Sequence, residues 1–214
     1  MKKYLLFLLF IQFTLPGCYN YHYVHYARYN FELNSVEKPK DKNQIYANVK
    51  IQNFEENGTQ IYLYEDEIIK IVWNIDNETF NFILNNLSDK TLKILWDDAG
   101  YVNTNGFTER LIHSGIQYIN RNNPQPPTII PPKSSISDLL LPSNNVYYSK
   151  YSYDWKVYSL FPIFFKEKNE IDEIKSKYIG KTIKILLPIE IEGIKNEYIF
   201  SFIIKDITEN ILEK

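Results

Sequence analysis

The sequence predicts an all-β chain: an antiparallel β-sandwich with little helix and one long, Pro-rich irregular insertion. Three observations carry that expectation. Tyr (18) and Phe (13) are abundant, and flat side chains pack well on a pleated surface. Apolar residues recur with period two over most of the chain, which puts one face inside and the other in water. Turn signals separate these runs at spacings of about ten residues, the rhythm of a sandwich.

The elements follow in order. Ile45, Ala47, Val49 and Ile51 alternate with polar residues, Asn57-Gly58 reads as a hairpin turn, and Ile61–Tyr64 resumes the pattern. Ile69, Ile71, Trp73 and Ile75 form the next face; Asp76-Asn77 turns the chain before Phe80, Phe82 and Leu84. Ser88-Asp89-Lys90 precedes Leu92, Ile94 and Trp96, and Asn103–Gly106 precedes a strand over Phe107–His113. The C-terminal hairpin is the clearest. Ile183, Ile185, Leu187, Ile189 and Ile191 share a face, Gly193–Asn196 turns, and Tyr198, Phe200, Phe202 and Ile204 answer. Pro188 withholds a ladder donor, so it suggests an edge strand or a bulge. Glu170–Tyr178 has room for two helical turns.

Ser114–Tyr148 breaks the rhythm. Pro124, Pro126, Pro127, Pro131, Pro132 and Pro142 fix the backbone and remove donors, so no central strand is expected there. The segment reads as a crossover between two sheets that lays Ile129, Ile130 and Leu139–Leu141 on the core. Long irregular loops are also often functional. Trp96, Asp97, Asp98 and Tyr101 precede it, and Tyr147, Tyr148 and Trp155 follow. These seven are the candidate binding surface.

The N-terminus carries different information. Met1–Cys18 reads MKKYLLFLLFIQFTLPGC: Lys2 and Lys3 make a positive start, and Tyr4–Leu15 is an apolar stretch too short to span a bilayer. It ends in Leu15-Pro16-Gly17-Cys18, with Pro16 where a small residue is usual. This leader resembles the lipobox of bacterial lipoproteins, and Cys18 is the only cysteine of the chain. The resemblance implies that a diacylglycerol is attached to the Cys18 sulfur and that cleavage after Gly17 removes residues 1–17. Two or three acyl chains then anchor the protein stably to a membrane outside the cytoplasm. Tyr19 follows Cys18 where some Gram-negative lipoproteins carry an Asp retention signal, so the outer membrane is the expected address. The mature chain looks like uncharacterised envelope lipoproteins with immunoglobulin-like folds, a likeness that names no ligand.

Three regions result: a signal peptide at 1–17, a lipid-anchored tether or first strand at 18–43, and a sandwich domain at 44–214. Tyr19, Tyr21 and Tyr23 alternate as a strand would, or lie at lipid headgroups as an aromatic tether. Glu37–Asn43 is charged and reads as a loop.

Composition narrows the function. The formal charge is −2, and removing a leader that holds Lys2 and Lys3 lowers it by two, to −4. That balance argues against nucleic acid. One cysteine allows neither a disulfide framework nor a Cys-based zinc site. His22 and His25 have metal-like spacing but want a third ligand, so no metal or cofactor is expected. No phosphate-binding loop or nucleophile elbow is present. The expectation is a non-catalytic binding or structural module whose partner is an envelope protein or glycan. The alternative is a hydrolase of cell-wall or surface polymers, using Asp97 or Asp98 with His113; it requires these residues to converge in one pocket.

Overall fold

Period-two patterning does produce strands nearly everywhere it occurs. The computed structural model describes residues 23–38, 49–165 and 167–213. The leader with Cys18, the tether residues Tyr19 and Tyr21, His22, and Ile45 and Ala47 lie outside them. Among the described residues the elements run β1 (Tyr23–Glu37), β2 (Lys50–Glu56), β3 (Thr59–Glu65), β4 (Ile69–Ile75), β5 (Phe80–Asn86) and β6 (Leu92–Ile94). Then come β7 (Gly100–Val102), β8 (Thr108–His113), β9 (Thr128–Ile130), β10 (Ser135–Pro142), β11 (Val146–Ser149), β12 (Asp154–Val157) and β13 (Phe164–Phe165). The helix α1 (Lys168–Tyr178), β14 (Thr182–Ile191) and β15 (Ile194–Glu213) complete the chain. No helix among them is long and apolar enough to cross a membrane.

All pairings are antiparallel, as expected. The two layers are one curled sheet, in the order β13-β1-β15-β14-β7-β8-β10-β5-β4-β3-β2, with β6 and β9 added at β14. Strand β8 is the corner: its first half pairs with β7 and its second half with β10. Where the curl brings β1 back towards β2, no backbone ladder joins them. Instead the Asn53 side chain accepts from the Leu33 N–H (2.8 Å) and donates to the Leu33 carbonyl (3.3 Å), doing with one amide what a paired residue would do.

The core lies between the layers. Ile69, Ile71, Trp73, Phe80 and Leu84 come from one side and Ile183, Ile185, Leu187, Ile189, Tyr198, Phe200 and Phe202 from the other, all buried as the alternation predicts. Burying each such side chain contributes about 1.5–3 kcal/mol. The turns Asn57-Gly58 and Glu192-Gly193 have both central residues at positive φ, the geometry that matches strand twist in two-residue hairpins. The second of these is shorter than the Gly193–Asn196 turn expected. Tyr23–Glu37 pairs with β15 along its length, so within 18–43 these residues are first strand. Helix α1 packs against β15 and β13, with a capping box at Glu167 and Glu170 and Ile171 in the core.

Four expectations need correcting. Ser114–Tyr148 does contain a central strand, since β10 pairs with β5 on one side and β8 on the other; its prolines lie before it, and Pro142 is its last residue. In the same segment Ile129 is exposed, and Leu139 and Leu141 belong to a small separate cluster with Ile112 and Val146, so only Ile130 and Leu140 are laid on the core. Pro188 lies in an interior strand: β14 changes neighbours there, from β7 at Leu186 to β6 at Ile189, so no ladder donor is lost, and its carbonyl accepts from the Leu95 amide (3.0 Å). Val49 is half exposed because β2 is an edge strand with only Ile51 packed inward.

Candidate functional site

The seven residues of the predicted binding surface divide into three groups. Trp96 and Tyr101 are core side chains, 1% and 3% exposed. Trp96 occupies a 3-10 turn, stacks on His113 at 4.3 Å between ring centres, and donates from Nε1 to Thr128 Oγ1 (2.8 Å). Tyr101 packs on Phe80 at 5.1 Å, and burial pushes its phenol well above the ordinary value. Both are inward because the chain between β6 and β7 keeps its apolar side on the core.

Asp97 and Asp98 face solvent in the same turn. Asp97 accepts from Arg110 (2.6 Å) and from the Gln125 amide (3.0 Å); those bonds hold its carboxyl below the usual range. Asp98 pairs with Lys195 at 3.2 Å. The two carboxylates point to different partners, and neither is bonded to His113.

His113 belongs to a different constellation, which the sequence reading missed. Its Nδ1 lies 3.1 Å from Asp138 Oδ2, and Asp138 Oδ1 accepts from the Ser114 amide (2.9 Å). Burial works against the Asp138 carboxylate, but the His113, Ser114 and Leu139 hydrogen bonds outweigh it and hold its pKa below the usual range. The signal was in the sequence: Ile136, Asp138 and Leu140 alternate, so an acid stands on an inward face. Among the described residues the histidine Nε2 is buried without a hydrogen-bond partner. Beside it, Gln125 is 4% exposed; its side chain donates to the Leu111 carbonyl (2.8 Å) and accepts from the His113 amide (3.3 Å). It thereby completes β8 where β7 has ended.

Tyr148 and Trp155 come together as a cross-strand pair on the β11–β12 hairpin, with ring centres 5.6 Å apart, while Tyr147 lies on the hairpin's other face. This two-stranded unit stands apart from the main sheet and pairs Tyr148 with Trp155 and Val146 with Val157. Val146, Trp155 and Val157 pack against Ile112 and Leu141, on the outer side of β8 and β10. The loop after β8 braces it, with the Arg121 guanidinium 5.2 Å from the Trp155 ring and Tyr118 edge-on to the same ring. Tyr147 stacks on Tyr158 at 4.1 Å. At the tip, Tyr151 is 100% and Tyr153 81% exposed. Those two tyrosines were not singled out from the sequence, although the run Tyr147–Tyr158 holds six of the chain's aromatic residues in twelve positions.

Two clefts lie elsewhere: one of about 370 Å³ between β1 and the β3–β4 side, lined by Arg28, Tyr29, Asp76 and Phe161 among others, and one of about 400 Å³ lined by Trp73, Asn81, Ser114 and Asp138 among others. Asp76 is already engaged by Thr79 and Asn81, and Tyr29 by the Pro162 carbonyl. His25 pairs with Glu209 at 2.7 Å, and the described residues contain no group of three metal-ligating side chains.

No family model, no curated protein and no solved structure matches the chain.

Proposed function

We propose that this chain is a bacterial envelope lipoprotein, anchored through acyl chains on Cys18, whose β-sandwich domain is a non-catalytic binding module presenting the β11–β12 hairpin to a partner. The observation that carries the reading is the hairpin tip: Tyr151 and Tyr153 are held in water, on a base braced by Trp155, Arg121 and Tyr118. Large aromatic side chains lose little conformational entropy on binding and bring both apolar area and a hydroxyl. Ser149, Ser152 and Lys150 between them supply adaptable polar contacts. A partner polymer or protein of the envelope suits such a surface. The anchor is supported by the lipobox-like Leu15–Cys18 and the absence of any other cysteine.

Two experiments test this. Metabolic labelling with a palmitate analogue is expected to tag the protein and to fail for Cys18→Ala; an equal tag in the variant removes the anchor. A photo-crosslinking amino acid placed at Tyr151 in living cells is expected to yield a discrete envelope adduct, while the same group at Gln52, exposed on β2, yields none. Identical products from both positions would remove the hairpin as the binding surface.

A further inference from the structure

The distance between anchor and domain is short. Strand β1 begins at Tyr23, five residues after Cys18, and five residues span at most ~18 Å fully extended. A domain tethered so closely keeps the start of β1 near the bilayer.

The surface at that end has a definite composition. Phe164 on β13 lies directly opposite Tyr26 of β1. Its neighbour Phe165 is buried, while Phe164 is 69% exposed, so the strand turns one ring in and one ring out. The Ala27 amide donates to the Ile163 carbonyl (2.7 Å), which fixes the position of the segment. Arg28, two residues beyond Tyr26 and on the same outward side of β1, is exposed, with one guanidinium nitrogen donating to the Gly58 carbonyl. One exposed ring, a half-buried tyrosine beside it and a guanidinium on one side of the sheet are what a lipid–water boundary accepts: the ring in the apolar margin, the cation at anionic headgroups.

We propose that the domain rests on the bilayer through this edge, with Phe164 in the boundary between headgroups and acyl chains and Arg28 at the phosphates. The occupant is the membrane that holds the acyl chains, and the inference rests on Cys18 lipidation as proposed above. Docking fixes orientation: the opposite end, with the Glu192-Gly193 turn and the start of β15, then points away from the membrane.

The test uses the full lipidated chain in vesicles of phosphatidylethanolamine and phosphatidylglycerol. Cys18 is the only cysteine, and its sulfur is blocked by lipid, so Phe164→Cys and Ile194→Cys each offer one reactive thiol for an environment-sensitive dye. Both sites are exposed, and Ile194 lies at the other end of β15 from the residues paired with the start of β1. On vesicle binding, the dye at 164 is expected to shift to the blue, brighten several-fold and be quenched by lipid-borne spin labels, while the dye at 194 stays unchanged. Protein that floats with vesicles but shows no change at 164, or equal changes at both sites, overturns the docking while leaving the anchor standing. Protein that does not float overturns the anchor, and the docking with it.

Discussion

Trp73 of β4 and Phe200 of β15 meet across the interior with ring centres 5.1 Å apart, at 63°. The two residues are far apart in sequence and come from opposite layers, so their contact is where the two layers pack face to face. Tyr62 and Phe202 repeat the arrangement one pair further along, at 5.5 Å.

Phe200→Ala is therefore expected to cost about 3–5 kcal/mol, a large share of the roughly 5–15 kcal/mol of a typical domain. Glu190, on the outer side of β14 and paired with Lys93 at 2.8 Å, is worth only about 0–1 kcal/mol as a surface ion pair. Urea denaturation of both variants checks the register, with the midpoint of Phe200→Ala far below that of Glu190→Ala.

The Asn53 bridge to Leu33 substitutes for a missing ladder at the seam. Asn53→Ala leaves a buried residue's amide and carbonyl without that partner, at a cost of about 1–3 kcal/mol. Hydrogen exchange reads the effect locally: the Leu33 amide is expected to exchange much faster, while the amides of β14 keep their protection to within the global loss of stability.

Asp66 is a buried acceptor for several donors. It pairs with Lys38 and accepts from the Tyr64 hydroxyl (2.9 Å), the Tyr198 hydroxyl (3.2 Å) and the Ile68 and Ile69 amides (2.8 Å each). Removing one member of a buried charged pair costs about 3–5 kcal/mol. Asp66→Ala should fall in that range. Lys38→Met should cost less, because the carboxylate keeps its hydroxyl and amide donors. Thermal melting of the two variants at neutral pH ranks them.

Acid should act through Asp138 and Asp76, whose pKa values the folded state lowers. A lowered folded pKa contributes stability that is present above the unfolded value, about 3.9, and is lost as pH falls through the folded value. Stability should therefore hold from neutral pH down to about pH 4 and drop below it. Asp138→Asn has no carboxyl to protonate, so its urea midpoint should fall less between pH 5 and pH 3 than that of the unaltered chain.

The strands, their turns and the inward faces of β4, β5, β14 and β15 were legible in the residues alone. A side-chain period of two and turn residues such as Asn57-Gly58 are local properties, and local properties are written in consecutive residues. The lipobox-like Leu15–Cys18, on which the proposed anchor rests, is likewise local, since it needs one cysteine in one place. That Trp96 and Tyr101 are core, that Asp138 rather than Asp97 or Asp98 attends His113, and that Asn53 and Gln125 stand in for missing strand partners emerges in three dimensions alone. Each of these depends on contacts between residues distant along the chain, where no periodicity specifies the partner. The prolines of 114–148 concealed β10 for a related reason: a proline removes one donor locally, but whether that donor was needed depends on which strand lies beside it. At Pro188 the neighbouring strand changes, and at Pro142 β10 ends, so both are accommodated.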